Sequence, residues 1–261
     1  MGLTRQSSGF VVHNTPLELR KTNPEDMVIA LAGNPNTGKS TVFNQLTGLK
    51  QHTGNWPGKT VTMAQGKYQH QDQGYVIVDL PGTYSLLANS VEEEVARDFI
   101  CSGQAQATVV VTDATCLERN LNLVLQIMEI TPRVIVCVNL LDEAKRKKIH
   151  VDLEKLSALL GVPVVGTNAR DGIGLSELKA AIHQMTTSSS DPIPLTISYP
   201  PPIETAIGML LPSLEVLIAR CFLARWLALR LIESGDWQHD LKKQRADDDI
   251  AVGLSLAQAI G

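Results

Sequence analysis

No apolar run in this chain of 261 residues is both long and clean enough to cross a bilayer. The most apolar stretch, Ala206 to Gly235, is interrupted by Pro212, Glu215, Arg220, Arg225 and Arg230. It reads as helices, with Leu217, Ile218, Leu223, Leu227 and Leu231 on one stripe. Positive charge is not in surplus either. Against 27 Asp and Glu stand 23 Lys and Arg, a formal net charge of -4, which argues against a nucleic-acid partner held through its phosphates. Cysteine is sparse: Cys101, Cys116, Cys137 and Cys221 lie far apart without CxxC spacing and read as reduced packing residues suited to the cytosol. The six His are scattered without ligand spacing, and Glu92, Glu93 and Glu94 point in different directions around a helix, so neither set suggests a transition-metal site. No basic flank with an apolar core and cleavage site opens the chain, so secretion is not expected, and no internal repeat is visible.

What is present is ordinary globular composition, 44% hydrophobic and 19% charged, with a regular alternation of elements. The runs "MVIALAG", "YVIVDLPG", "ATVVVTDA", "RVIVCVNLLD" and "VPVVGTNA" are rich in Val and Ile and apolar on both faces, as parallel strands covered by helices are. "VTMAQGKYQH" alternates and runs into a Gly-containing turn, so it is predicted to pair antiparallel with the strand that follows. Helices are predicted over 38–47, 92–100, 117–130, 153–160 and 175–187. The outcome is an α/β fold around a mixed, mostly parallel six-stranded sheet. Residues 1–24 read as a polar leader, 25–187 as the α/β domain, and 188–261 as a Ser- and Pro-rich linker followed by a small helical domain.

Four motifs stand in order at predicted strand ends, where α/β sheets bind ligands. "GNPNTGKST" (Gly33, Asn34, Pro35, Asn36, Thr37, Gly38, Lys39, Ser40, Thr41) has Walker A spacing. Its glycines let backbone N–H groups face phosphate oxygens, Lys39 adds charge, and Ser40 offers a hydroxyl to magnesium. The helix that starts there adds the positive end of its dipole. "DLPG" (Asp79, Leu80, Pro81, Gly82) supplies a carboxylate for a magnesium-bound water and an N–H for the γ-phosphate. "NLLD" places Asn139, Leu140 and Asp142 at a strand end. A carboxylate there matches the N1–H and exocyclic amine of guanine and is left unpaired by adenine. "TNA" (Thr167, Asn168, Ala169) follows the last strand, with the Ala169 N–H a candidate donor to guanine O6. Taken together the motifs imply a GTP-binding protein.

With "NWPG", "DLPGTYSL" and "RWLAL" added, the chain from Met27 to Gly261 resembles the cytoplasmic N-terminal part of the bacterial ferrous-iron transporter B family, FeoB. The resemblance implies a Ras-like P-loop GTPase domain and a helical domain that slows GDP release, both preceding a polytopic membrane region, so the chain is expected to be a piece of a longer protein at the cytoplasmic face of the inner membrane. It implies Thr60 as the switch I threonine that reaches magnesium and the γ-phosphate, with Thr83 to Ser85 opening switch II. Thr83 stands where Ras-like proteins usually carry a water-positioning Gln, so hydrolysis is expected to be slow. By resemblance to GTPases with an Asn at this place, Asn36 and the carbonyls of Gly54 and Trp56 would hold a potassium ion that stimulates hydrolysis, with Lys39, Thr60 and Gly82 as the other catalytic groups. Leu140 replaces the Lys of the commoner NKxD, and affinity of roughly micromolar order is expected. Asn168 stands where Ser is commoner. The expected partners are GTP or GDP and the membrane-spanning part of the same transporter; an oligomer is compatible with the sequence. Two alternatives remain open: a ribosome-assembly GTPase, which would need a basic appendage where "KKQRADDDIA" has mixed charge, and a module that uses GTP as a switch without hydrolysing it.

Overall fold

The computed structural model describes residues 19, 21, 23–48, 51–56, 59–87, 90–218 and 221–234. Most of the predicted leader lies outside them, as do Pro57 and Gly58 of NWPG, the Leu217 and Ile218 side chains, and the mixed-charge tail. The chain divides into two compact units, Met1–Thr196 and Ile197–Gly261.

In the first unit the chain runs through β1 (Met27–Gly33), α1 (Lys39–Thr47), β2 (Gln51–Asn55), β3 (Thr62–His70), β4 (Gln73–Asp79), α2 (Val91–Ser102), β5 (Ala107–Asp113), α3 (Leu117–Ile130), β6 (Val134–Asn139), α4 (Leu141–Arg146), α5 (Leu153–Leu160), β7 (Val164–Gly166) and α6 (Leu175–Thr187). The strands form one sheet in the order β2-β3-β4-β1-β5-β6-β7. β4, β1, β5, β6 and β7 are parallel, and β3 and β2 add antiparallel on the β4 side. The parallel core strands are buried on both faces, which their unbroken Val and Ile runs require. Ile29, Leu31, Val109, Val111, Ile135 and Cys137 pack one face against Val42, Phe43 and Leu46 of α1 and Leu178 and Ile182 of α6. Alternation sends Val28, Ala30, Val110 and Val136 to the other face, where α3 packs on β5 and β6.

The sheet has seven strands, not the expected six. "QHTGN" offers no apolar alternation; what makes it β2 is a backbone ladder opposite Thr62–Gly66, from Asn55↔Thr62 to Gln51↔Gly66. Residues 188–196 have no regular structure and stay with the first unit: Leu195 N–H donates to Leu160 O at 2.8 Å, and Arg133 pairs with Asp191 at 2.5 Å and donates to Met185 O at 3.3 Å.

In the second unit α7 (Pro201–Ile218) and α8 (Cys221–Ser234) pair through Ile207, Leu210, Ala228 and Leu229, and Pro212 lies within α7 rather than ending it. Arg225, one of the charges that breaks the apolar run, is bidentate on Glu204 at 2.8 and 3.0 Å and also donates to Ile197 O. No described helix is long and apolar enough to cross a membrane.

Candidate functional site

The motif-bearing loops leave the carboxyl ends of β1, β4, β6 and β7. After β1 the backbone is too crowded for side chains at two positions. A Cβ at Gly33 would lie 2.6 Å from Val111 O, and one at Gly38, whose φ is +82°, would run into the Asn139 amide. Asn36 is exposed and left-handed, φ +67°, and the Thr37 hydroxyl donates to Asn34 O at 3.0 Å, closing the turn. α1 then starts with no side-chain cap and no acidic residue in its first turn. Its first N–H groups and positive dipole end are thus offered to an anion, with Ser40 and Thr41 exposed beside them. Lys39 bends across to Asp79 Oδ1 and to Leu80 O at 2.7 Å. Burial raises the Asp79 carboxyl above the usual carboxylate range, and Lys39 opposes that shift.

The DLPG segment is laid along the first loop. Leu80, buried, donates its N–H to Leu31 O at 3.0 Å, Gly82 lies against Pro35, and the Thr83 N–H reaches Gly33 O at 3.3 Å. Thr83 is buried, so its side chain is turned away from solvent. Beyond it, Tyr84 lies beneath the Arg119 guanidinium at 4.4 Å, and the Leu86 N–H is held by Gln126 of α3 at 2.8 Å.

The NWPG region docks elsewhere. Gly54 sits in β2 opposite Met63. Trp56 is 7% exposed, edge-on to Phe99 of α2 at 5.5 Å, and its carbonyl accepts the Lys59 N–H at 3.0 Å. Lys59 Nζ donates to Glu94 at 2.9 Å, drawing that carboxyl below its usual range, and lies 3.8 Å from Asp98. Thr60 is exposed on the same loop. These contacts with α2 had no signal in the sequence, because Trp56 and Lys59 meet Phe99 and Glu94 only once β2 has formed.

Asn139 gathers the remaining loops. It is 1% exposed; its Nδ2 donates to Thr37 O at 3.0 Å, and its Oδ1 accepts from the Thr167 hydroxyl and the Ala169 N–H, both at 3.0 Å. The Ala169 donor expected at guanine O6 is therefore already engaged. Since the Thr167 proton goes to Asn139, the buried Cys137 thiol, 3.3 Å away, donates to Thr167, and burial pushes that thiol up to about 11. Asn168, the departure from the commoner Ser, accepts the Asp142 N–H at 2.9 Å and so ties the last loop to the NLLD turn. Leu140 takes the left-handed conformation there, φ +62°, and starts the short α4, which is too brief to leave a periodic signal. The Asp142 carboxylate is partly exposed and pairs with Arg146 at 3.1 Å.

An amide-rich loop, a helix N-terminus and a lysine suit a phosphate chain, and the flanking hydroxyl and carboxylate oxygens of Ser40 and Asp79 are hard donors that fit Mg2+. For a potassium ion the fit is partial. Asn36 is exposed, but one lone pair of the Trp56 carbonyl is taken by Lys59.

Residues 27–182 match the family model described as ferrous iron transport protein B. The Fe(2+) transporter FeoB of Salmonella choleraesuis (strain SC-B67) is 39% identical over 213 residues, which are 79% of this chain and 27% of that protein, so the chain spans about a quarter of the curated relatives' length. Among solved structures, the cytosolic domain of T. maritima FeoB in GDP form II is 35% identical with a TM-score of 0.75, over 83% of this chain and 85% of that one. The G domain of the same transporter is 41% identical with a TM-score of 0.59, over 62% and 99%. With a P-loop GTPase fold of this kind and a family match across most of its first unit, the chain belongs to the ferrous iron transport protein B family.

Proposed function

We propose that this chain is the GTP-binding and GTP-hydrolysing part of a ferrous-iron membrane transporter, and that the nucleotide state of its switch segments is coupled to iron(II) uptake. Under this reading Gly33 to Thr41 wrap the phosphates, Lys39 exchanges Asp79 for phosphate oxygens, and Gly82 offers its N–H to the γ-phosphate. Ser40, Thr60 and, through water, Asp79 hold Mg2+, which supplies neutralisation of developing phosphate charge. Asp142 selects guanine, and Asn36 with the Gly54 and Trp56 carbonyls would hold potassium. The helical unit of residues 197–261 is assigned the slowing of GDP release.

The observation that carries the reading is the Asn139 brace, which ties the phosphate loop to both base loops through Thr37, Thr167 and Ala169. Such a brace makes phosphate and base recognition one rigid site. Calorimetry of GTP, GDP and ATP in potassium and in sodium, with phosphate release followed in parallel, tests it. GDP is expected to bind at roughly micromolar Kd and ATP on the order of 10⁴-fold more weakly. Preference for ATP would end the reading, and equal turnover in both salts would end the potassium assignment alone.

A further inference from the structure

Buried polar groups are satisfied or need a reason not to be, and Asn34 stands unsatisfied in the middle of the phosphate loop. It is 2% exposed, and neither its Oδ1 nor its Nδ2 has a hydrogen-bond partner. Burying an unpaired amide costs stability that a Leu or Ala at this position would not.

The neighbours of Asn34 in the chain, Gly33 and Pro35, are both met by switch II. β1 turns Ile29 and Leu31 toward α1 and α6, so continuing the extended chain through Gly33 turns Asn34 to the opposite face. Alongside the end of β1 runs the segment after β4. Leu80 N–H is on Leu31 O, Gly82 is against Pro35, and the Leu86 N–H is fastened to Gln126 of α3. Between these points the Thr83 N–H is held by Gly33 O at 3.3 Å, the long end of the hydrogen-bond range. Thr83, which cannot do the work of a water-orienting Gln, thus sits beside a residue whose amide is unused.

We propose that Asn34 is a positioning residue for GTP hydrolysis. When Gly82 turns toward the γ-phosphate, Asn34 Oδ1 takes the Thr83 N–H over from Gly33 O, and Nδ2 donates to a carbonyl of the 81–83 turn. The turn is then fixed, and its backbone orients the attacking water in place of a side chain. In the reaction the water oxygen bonds to the γ-phosphorus as the bond to the bridging oxygen breaks. GDP leaves with the electron pair, and the water's proton ends on the released phosphate. The proposal rests on the GTPase reading above.

The experiment compares the full chain with Asn34→Leu, which keeps the branched shape and removes the amide, and with Asn34→Ala. GDP binding is measured by calorimetry, phosphate release under single-turnover conditions and over a range of GTP, and the melting temperature without nucleotide. Both variants keep the backbone through which the loop wraps the phosphates; they are expected to melt no lower than the parent and to lose about tenfold in kcat with KM unchanged. Adding Thr83→Pro, which deletes the N–H in question, is expected to slow Asn34→Leu no further. Phosphate release within twofold of the parent, a loss confined to KM, a lower melting temperature in both variants, or fully additive slowing in the double variant overturns the proposal. Failure of the parent itself to hydrolyse GTP overturns the underlying reading instead.

Discussion

Truncating Asn139 would disturb three groups at once: the Thr37 carbonyl and the Ala169 N–H lose this partner outright, and the Thr167 hydroxyl keeps only the weaker Cys137 thiol, all in places closed to water. At about 1 kcal/mol or more for each of the two buried groups left without a partner, Asn139→Ala is expected to cost at least about 2 kcal/mol before any ligand is added. Urea unfolding of the nucleotide-free chain measures this, and a loss below about 1 kcal/mol would mean that the loops hold one another without the brace. A residue that only touched the base would change GDP affinity and leave the unfolding midpoint where it was. The NLLD spacing picks Asn139 out of the sequence, but nothing in the sequence names its partners. Thr37 lies 102 positions away, and the Ala169 N–H is a backbone group that any residue but proline would supply. The cradle glycines are legible for the opposite reason, since Gly33 and Gly38 answer to local crowding that the motif itself encodes.

Helices α3, α5 and α6 begin and end where the apolar periodicity begins and ends, because each has one face on the sheet and one in water. β2 escapes this logic: His52 to Asn55 are exposed, and what holds the strand is an edge ladder with β3. That edge carries the Trp56–Lys59 loop onto α2 through two unequal contacts. The Lys59–Glu94 pair is partly exposed, with the Glu94 side chain 43% accessible, and such pairs contribute at most about 1 kcal/mol. The aromatic pair is closed to water and adds about 0.5–1.5 kcal/mol beyond the area it buries. The ring contact therefore dominates. In a chain with Trp226 and Trp237 replaced by Phe, Phe99→Ala is expected to shift Trp56 emission to the red, whereas Lys59→Met leaves it near the parent. The reverse order would make the ion pair the principal fastening of this loop.

Two compact units make separate demands on solution conditions. In the helical unit the Arg225 guanidinium, with help from the Tyr199 N–H, holds the Glu204 carboxyl down at about 2, below its ordinary 4.5. A carboxyl depressed on folding stabilises fully above its unfolded value and loses that contribution as pH falls from about 4.5 toward 2. The melting-temperature gap between the parent and Glu204→Gln should accordingly be open at pH 7 and narrow steadily as pH falls from about 4.5 toward 2; a gap independent of pH would show that the carboxylate charge contributes nothing. The division between the units yields the other test. Composition alone puts the boundary after Thr187, where Ser and Pro begin to accumulate, yet residues 188–196 are stitched to the sheet domain. Asp191 and Ser188 O hold Arg133, Leu195 N–H is bonded to Leu160 O, and the chain at Ile193 passes so close to Gly161 that a Cβ there would strike its carbonyl. A Ser- and Pro-rich segment hides such a role, because its hydrogen bonds run through backbone groups and one charged pair, and Pro194 is buried without any apolar periodicity to announce it. Fragments 1–187 and 1–196 are therefore expected to differ. The longer should melt several degrees higher and bind GDP as the whole chain does, since every residue assigned to the nucleotide lies before Gly174. Equal melting of the two fragments would place the working boundary at Thr187 after all, and loss of GDP binding in the longer one would mean that the helical unit completes the nucleotide site.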